Sequence, residues 1–249
     1  MRKINLLLIL LNISVCSIAQ DAKPLVQKSE ETYKGIQSYA EMEMQVLRKD
    51  WSKTMTMKTW HDGSSKEQSL ILITAPAKEK GAAFLKVGRD VWNWQPKIER
   101  VIKMPPSMMS DSWMGSDISN DDMVRESSMV NDYTHKIIKD TTIEGKACAL
   151  VELIPLADAV VVWGKIHMYI SKSDYLQLMV KFYDEDFYLV NTMSASDIGP
   201  LGGRNIPRTM TIVPADENEQ KTILKYKTLD FNPTFKPNFF SVQNLKRMR

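Results

Sequence analysis

The stretch "YAEMEMQVLRKDWSKTMTMKTW" (Tyr39–Trp60) decides the fold. Ala40, Met42, Met44 and Val46 alternate with Glu41, Glu43 and Gln45. Met55 and Met57 then stand against Lys58 in the same way. A period of two is the mark of a half-buried β-strand, because successive side chains leave a strand on opposite sides. Tyr39–Trp60 therefore reads as two strands that share one apolar face.

The pattern continues outward. "SLILITAP" (Ser69–Pro76) is almost continuously apolar and reads as a more deeply buried strand. "AAFLKVGRDVWNW" (Ala82–Trp94) reads as a strand, a turn at Val87–Asp90 and a returning strand. Further on, Ile166, Met168 and Ile170 share a face, as do Leu176, Leu178, Val180 and Phe182, with turns at Lys172–Asp174 and Asp184–Asp186. "FYLVNTMSAS", "RTMTIVP" and "KTILKYKTL" complete the series. Turn signals about every ten residues imply antiparallel hairpins, and the strands number roughly ten or eleven. A helix from Asp21 to about Gln37 precedes them, with Leu25, Ser29, Tyr33 and Ile36 at helical spacing and Gly35 near its stop. A short helix follows in "NFFSVQNLKRM". A sheet of this size must curl, close or split into two layers. The expected class is mainly β (α+β): one large antiparallel sheet with flanking helices, in one domain over residues 20–249; if the sheet curls, its apolar faces line a concave interior.

The first nineteen residues differ in character. Arg2 and Lys3 precede the apolar "INLLLILLNISV", and Ser17, Ile18 and Ala19 offer a small-residue cleavage site. This is the grammar of a secretory signal peptide, cleaved near Ala19. The run is short for a retained membrane anchor. Cys16 follows Val15, where a lipoprotein signal would want a small residue. Cleavage removes Arg2 and Lys3 and lowers the net charge from +3 to +1. A nearly neutral chain offers no basic patch for nucleic acid. Cys148 is then the remaining cysteine, so no intrachain disulfide forms. The expected product is an exported, periplasmic protein.

Catalytic patterns are missing from the sequence. No serine sits in GxSxG, there is no HExxH, and "GPLGGR" (Gly199–Arg204) lacks the lysine and spacing of a phosphate loop and reads as a hairpin connection. His61 lies in an apparent turn, His135 opens a strand and His167 lies on a strand's polar face. Cys148 alternates with Ala147 and Ala149 as a small core residue. The acids Asp111, Asp117, Asp121 and Asp122 do not have the spacing of a calcium loop. Ser119 with Asp122 instead fits a helix-capping box. No catalytic residue, metal site or cofactor is expected.

One positive feature remains. Of sixteen methionines, six lie between residues 104 and 129, in and after "MPPSMMSDSWMGSDISNDD" (Met104–Asp122). Methionine is flexible and polarisable, and it suits irregular apolar partners. Pro105, Pro106 and Gly115 prevent one continuous helix or strand. The segment reads either as an adaptable cover for an apolar ligand or as a plug in the core. Taken as a lid, it comprises Met104, Met108, Met109, Trp113 and Met114. The expected cavity residues are Met42, Met44, Met55, Met57, Phe84, Trp92 and Trp94.

Three stretches carry a family resemblance: "ITAPAKEKGAAFLKVG" (Ile73–Gly88), "WNWQPKIERVIKMPPSMMSDSWMGSDISNDDMV" (Trp92–Val124) and "DYTHKI" (Asp132–Ile137). With the order of elements, they resemble the LolA-like outer-membrane lipoprotein-sorting proteins. The resemblance implies an incomplete β-barrel, a curved antiparallel sheet with helices capping its concave face, a cavity for acyl chains between them, and a periplasmic carrier or chaperone that moves lipid-modified or other hydrophobic cargo toward the outer membrane without chemistry. It further implies a monomer that works with an inner-membrane ABC-type or lipid-exporter permease. The alternative it leaves is a lipid- or protein-sensing adaptor working with a membrane transporter or an anti-sigma factor.

Overall fold

The computed structural model describes residues 22–125, 128–217 and 219–248. The expected signal peptide lies outside the described residues. The first element is helix α1, Lys23–Lys34, with Pro24 in its first turn and Gly35 at its end. Gly35 has φ of 63°, which glycine adopts without steric cost. The helix is therefore shorter at both ends than its periodicity predicts.

Thirteen strands follow. They are β1 (Gln37–Leu47), β2 (Ser52–Asp62), β3 (Gln68–Ala75), β4 (Ala83–Val87), β5 (Asp90–Gln95), β6 (Arg100–Lys103), β7 (Tyr133–Ile143), β8 (Lys146–Pro155), β9 (Lys165–Ser171), β10 (Gln177–Tyr183), β11 (Leu189–Leu201), β12 (Arg204–Pro214) and β13 (Lys221–Asp230). Helix α2, Val242–Leu245, comes last. Ser241 caps it, accepting a hydrogen bond from the Asn244 amide.

All thirteen strands form one antiparallel sheet in the order β6-β5-β4-β3-β2-β1-β13-β12-β11-β10-β9-β8-β7. Strand β1 pairs with both β2 and β13, so the first and last strands meet at the centre. The sheet does not close: β6 and β7 are its two edges. It curls strongly nonetheless. Ile71 of β3 and Phe182 of β10 line the same cavity, although their strands stand six steps apart, about 29 Å in a flat sheet. The fold is thus the open, curved form of a barrel.

Curvature gives the sheet two unlike faces. The concave face carries the expected stripe: Ala40, Met42, Met44 and Val46 pack with Met55, Met57, Ile71, Ile73 and Phe84 in one core cluster. A second concave cluster joins Val151, Leu153, Ile166, Met168, Val180 and Phe182 to Ala22 and Val26, which seats α1 on the β8–β10 half. The convex face of β3–β5 is also covered. Leu70, Leu72, Ala83 and Leu85 pack there under Leu245 of α2, with Trp92 and Trp94 beside them. Helix α2 therefore covers the opposite face from the one expected of capping helices. Continuous burial of β3 on both sides explains its unbroken apolar run.

Candidate functional site: a cavity with one polar end

Because β6 and β7 are opposite edges and consecutive strands, the residues between them have to cross the sheet. They cross its concave side. Pro105 and Pro106 follow the end of β6, and short helical turns form at Pro106–Met108, Trp113–Gly115 and Asp121–Arg125. Trp113 is fully buried, and its ring stacks at a tilt on Phe84, centroids 5.6 Å apart. Met109 and Met104 are buried, Met114 packs against the same cluster, and Met108 is exposed.

Polar contacts pin this segment. Arg48 donates to both carboxylate oxygens of Asp117, at 3.1 and 2.9 Å, and to the Gly115 carbonyl at 3.0 Å. Thr222 of β13 donates its hydroxyl to Asp117 at 2.7 Å and accepts from the Asp117 amide at 3.0 Å. Asn191 of β11 donates to the Asp117 carbonyl at 3.0 Å. The capping box read from the sequence is present: the Ser119 hydroxyl donates to Asp122 at 2.6 Å and accepts from the Asp122 amide at 3.0 Å. Trp163 donates its indole N–H to the other Asp122 oxygen at 2.8 Å. Burial pushes the Asp122 carboxyl up to about 6, against these donors. Asp121 and Arg125 form an adjacent ion pair.

Beside this segment lies a cavity of about 290 Å³. Register orders its walls in rows from one end to the other. Ser38, His61 and Ser69 are mutually opposed across β1, β2 and β3; Ala40, Thr59 and Ile71 form the next row. Met42 and Leu224 lie deeper, with Met210 opposite Ala195 and Ile212 opposite Met193 on the facing strands. The crossing segment closes the far end with Ile118 and Met123. The near end lies by the last turn of α1, which contributes Glu30, Tyr33 and Lys34.

Two contacts hold that turn of α1 in place. The Tyr33 hydroxyl donates to the Gln177 carbonyl at 3.0 Å, and burial pushes its ionisation up. Arg204 donates to the carbonyls of Glu31 and Thr32 at 2.6 and 3.0 Å, while its guanidinium stacks 3.6 Å above the Phe231 ring. A cation at a helix C-terminus satisfies carbonyls that the helix cannot.

The expected site residues divide accordingly. Met42 lines the cavity. Met44, Met55, Met57 and Phe84 lie on the same concave face, within the core cluster that receives Trp113. Trp92 and Trp94 do not belong there. Trp92 opposes Leu85 and Trp94 opposes Ala83, residues of the convex cluster, so parity turns both rings away from the cavity. Of the expected lid residues, Trp113 and Met109 sit in the core, and Met108 faces out. The cavity's deeper wall comes largely from β11–β13, whose alternation (Met193 with Ala195, Met210 with Ile212) was available as a signal. Its polar end comes from the consecutive elements α1, β1, β2 and β3. His61 lies in β2, one residue before its end, and is not in a turn. Cys148 is buried, and burial pushes its thiol up. Among the described residues, no three His, Cys, Asp or Glu side chains are placed to share a metal ion, and no helix is long and apolar enough to cross a membrane.

This architecture recurs in solved structures. A DUF1329 family protein from Desulfovibrio piger superposes with a TM-score of 0.81 at 22% identity, over 90% of this chain and 97% of that one. A domain from Vibrio parahaemolyticus named for outer membrane lipoprotein sorting gives 0.80 at 24% identity, over 90% and 98%. A LolA superfamily protein from Nitrosomonas europaea gives 0.76 at 18% identity, over 90% and 99%. No curated protein matches the chain. A family model described as "-like: Uncharacterized protein" matches residues 65–247. The chain belongs to the family of that model, and its fold is LolA-like.

Proposed function

We propose that this protein is an exported, non-catalytic carrier or chaperone. It shields an acyl chain or another hydrophobic segment of its cargo in the concave cavity and moves it through the periplasm toward the outer membrane. The observation that carries this reading is the cavity itself. It is apolar along most of its length, blocked at one end by a pinned segment and polar at the other. Concave, mostly apolar pockets with a few convergent polar groups are the usual form of ligand sites. Each methylene moved from water into such a wall is worth about 0.8 kcal/mol, and the cost of immobilising the ligand offsets much of that sum. The result is a hold strong enough to protect a chain and weak enough to release it. In this reading the partners are a lipid-modified protein or lipid and an inner-membrane permease, and the carrier acts as a monomer.

The test is native mass spectrometry of protein isolated from the periplasm, followed by titration of delipidated protein with an uncharged naphthylamine dye that fluoresces in apolar surroundings. Co-purified lipid and saturable dye uptake are expected. A lipid-free protein that takes up no dye would overturn the reading.

A further inference from the structure

We propose that the cavity takes a single-chain amphiphile with an uncharged, hydrogen-bonding head group, as in a monoacylglycerol, with its head beside the Ser38–His61–Ser69 row. This inference rests on the carrier reading and narrows its ligand.

The size of the cavity selects one chain. Its volume of about 290 Å³ lies at the lower edge of the roughly 300–1,000 Å³ found for ligand pockets. At roughly 30 Å³ for a water-sized group, it holds about ten such groups. One medium acyl chain is enough to fill that space.

The distribution of polar groups sets the orientation. At the blocked end, the acids are already engaged: Asp117 with Arg48 and Thr222, and Asp122 with Ser119 and Trp163. A head group placed there would compete with the contacts that pin the crossing segment. At the near end the wall turns to hydroxyls and an imidazole, in Ser38, Ser69 and His61. A buried polar head needs such partners.

The charges at the near end select a neutral head. Lys34 lies 3.9 Å from Glu30. Lys86, opposite Ser69 in the next strand, pairs with Glu67 at 3.0 Å. Both lysines therefore come with an acid. A free carboxylate or phosphate would meet that acid as well as the base, whereas an ester or a glycerol hydroxyl needs only donors and acceptors.

Delipidated full-length protein, loaded with the naphthylamine dye, is titrated at about pH 8 with monodecanoylglycerol, decanoate or didecanoylglycerol, and stoichiometry is read by native mass spectrometry. Monodecanoylglycerol is expected to displace the dye at one molecule per chain, about ten-fold more tightly than decanoate, and didecanoylglycerol is expected not to displace it. Ala195→Leu and, separately, Ala40→Leu narrow the cavity and are expected to weaken monodecanoylglycerol binding by about ten-fold. If either variant fails to fold, the other carries the comparison. The inference is overturned if decanoate binds as tightly, if didecanoylglycerol binds equally well, or if a folded narrowed variant binds monodecanoylglycerol unchanged. Dye that binds but resists monodecanoylglycerol also overturns it while leaving the carrier reading in place. Failure of the dye itself to bind removes the carrier reading.

Discussion

The guanidinium of Arg48, just after β1, grips both oxygens of the Asp117 carboxylate, 69 residues away, in the middle of the crossing segment. Both side chains are nearly buried, with 13% and 8% of their surface exposed. A paired, forked contact of this kind is strong, and losing one partner leaves the other as an uncompensated buried charge. Arg48→Ala is expected to lower stability by about 3 kcal/mol in urea unfolding. It should also make residues 104–125 the first site of limited proteolysis. Arg48→Lys should recover little, because an ammonium cannot reproduce the fork. Cleavage elsewhere first would show that Arg48 does not hold the segment.

Asp122 gives the protein a dependence on pH. Its folded value of about 6 lies above its ordinary 3.8, so the folded state holds the proton more tightly than the unfolded one. Stability is therefore highest below about pH 4, declines as the pH rises toward 6, and is then flat with respect to this group. The full decline is about 3 kcal/mol. Asp122→Asn should remove that slope. Urea midpoints measured from pH 4 to 7 in both proteins check it, and parallel slopes would rule Asp122 out.

Arg204 fastens the end of α1. Arg204→Ala should raise hydrogen exchange at the last α1 amides about ten-fold, the equivalent of about 1.4 kcal/mol. Strands β8 and β9 should be unaffected. Exchange-mass spectrometry of the α1 peptide reads this directly, and unchanged protection would assign the anchor to Tyr33 instead.

Gly164 has no room for a side chain. A Cβ at this position would lie 2.4 Å from the Asp184 carbonyl oxygen and 2.7 Å from the Glu185 Cα, both backbone atoms. Gly164→Ala should cost about 2 kcal/mol and lower Tm by roughly 4–8 °C, as measured by calorimetry. A Tm equal to the parent's would mean that the β10–β11 turn yields freely.

The sequence makes some of these features legible and hides others, for physical reasons. Ala40, Met42, Met44 and Val46 are readable as one face because the Glu41 and Glu43 side chains between them are polar. The Ser119–Asp122 box is readable because its partners are three residues apart. Alternation does not place Trp92 and Trp94, because β3–β5 are covered on both faces. With Leu70 and Ile71 equally apolar, alternation no longer says which side is concave, and helix α2, more than 140 residues downstream, is what covers the second side. The methionine-rich segment is legible as something that packs irregularly. That it is pinned is not legible, because the partners of Asp117 (Arg48, Asn191 and Thr222) come from three distant strands or turns. The polar end of the cavity is hidden for another reason: Ser38, His61 and Ser69 come together through the register of β1, β2 and β3, which fixes which residues oppose one another only once the hairpins pair.

The position of β1 and β13 at the centre of the sheet has a consequence for how the chain matures. Strands β1–β6 form one run of local hairpins and β7–β13 another, and either run can assemble from neighbours in sequence. The seam between them closes only when β13 has been made, some 170 residues after β1. Until then the stripe from Ala40 to Val46 stands at an open strand edge, where unfinished sheets are prone to pair with other chains. A chain of this topology needs an escort until its last strand arrives, and a truncation just before Lys221 should yield aggregates, not a smaller carrier.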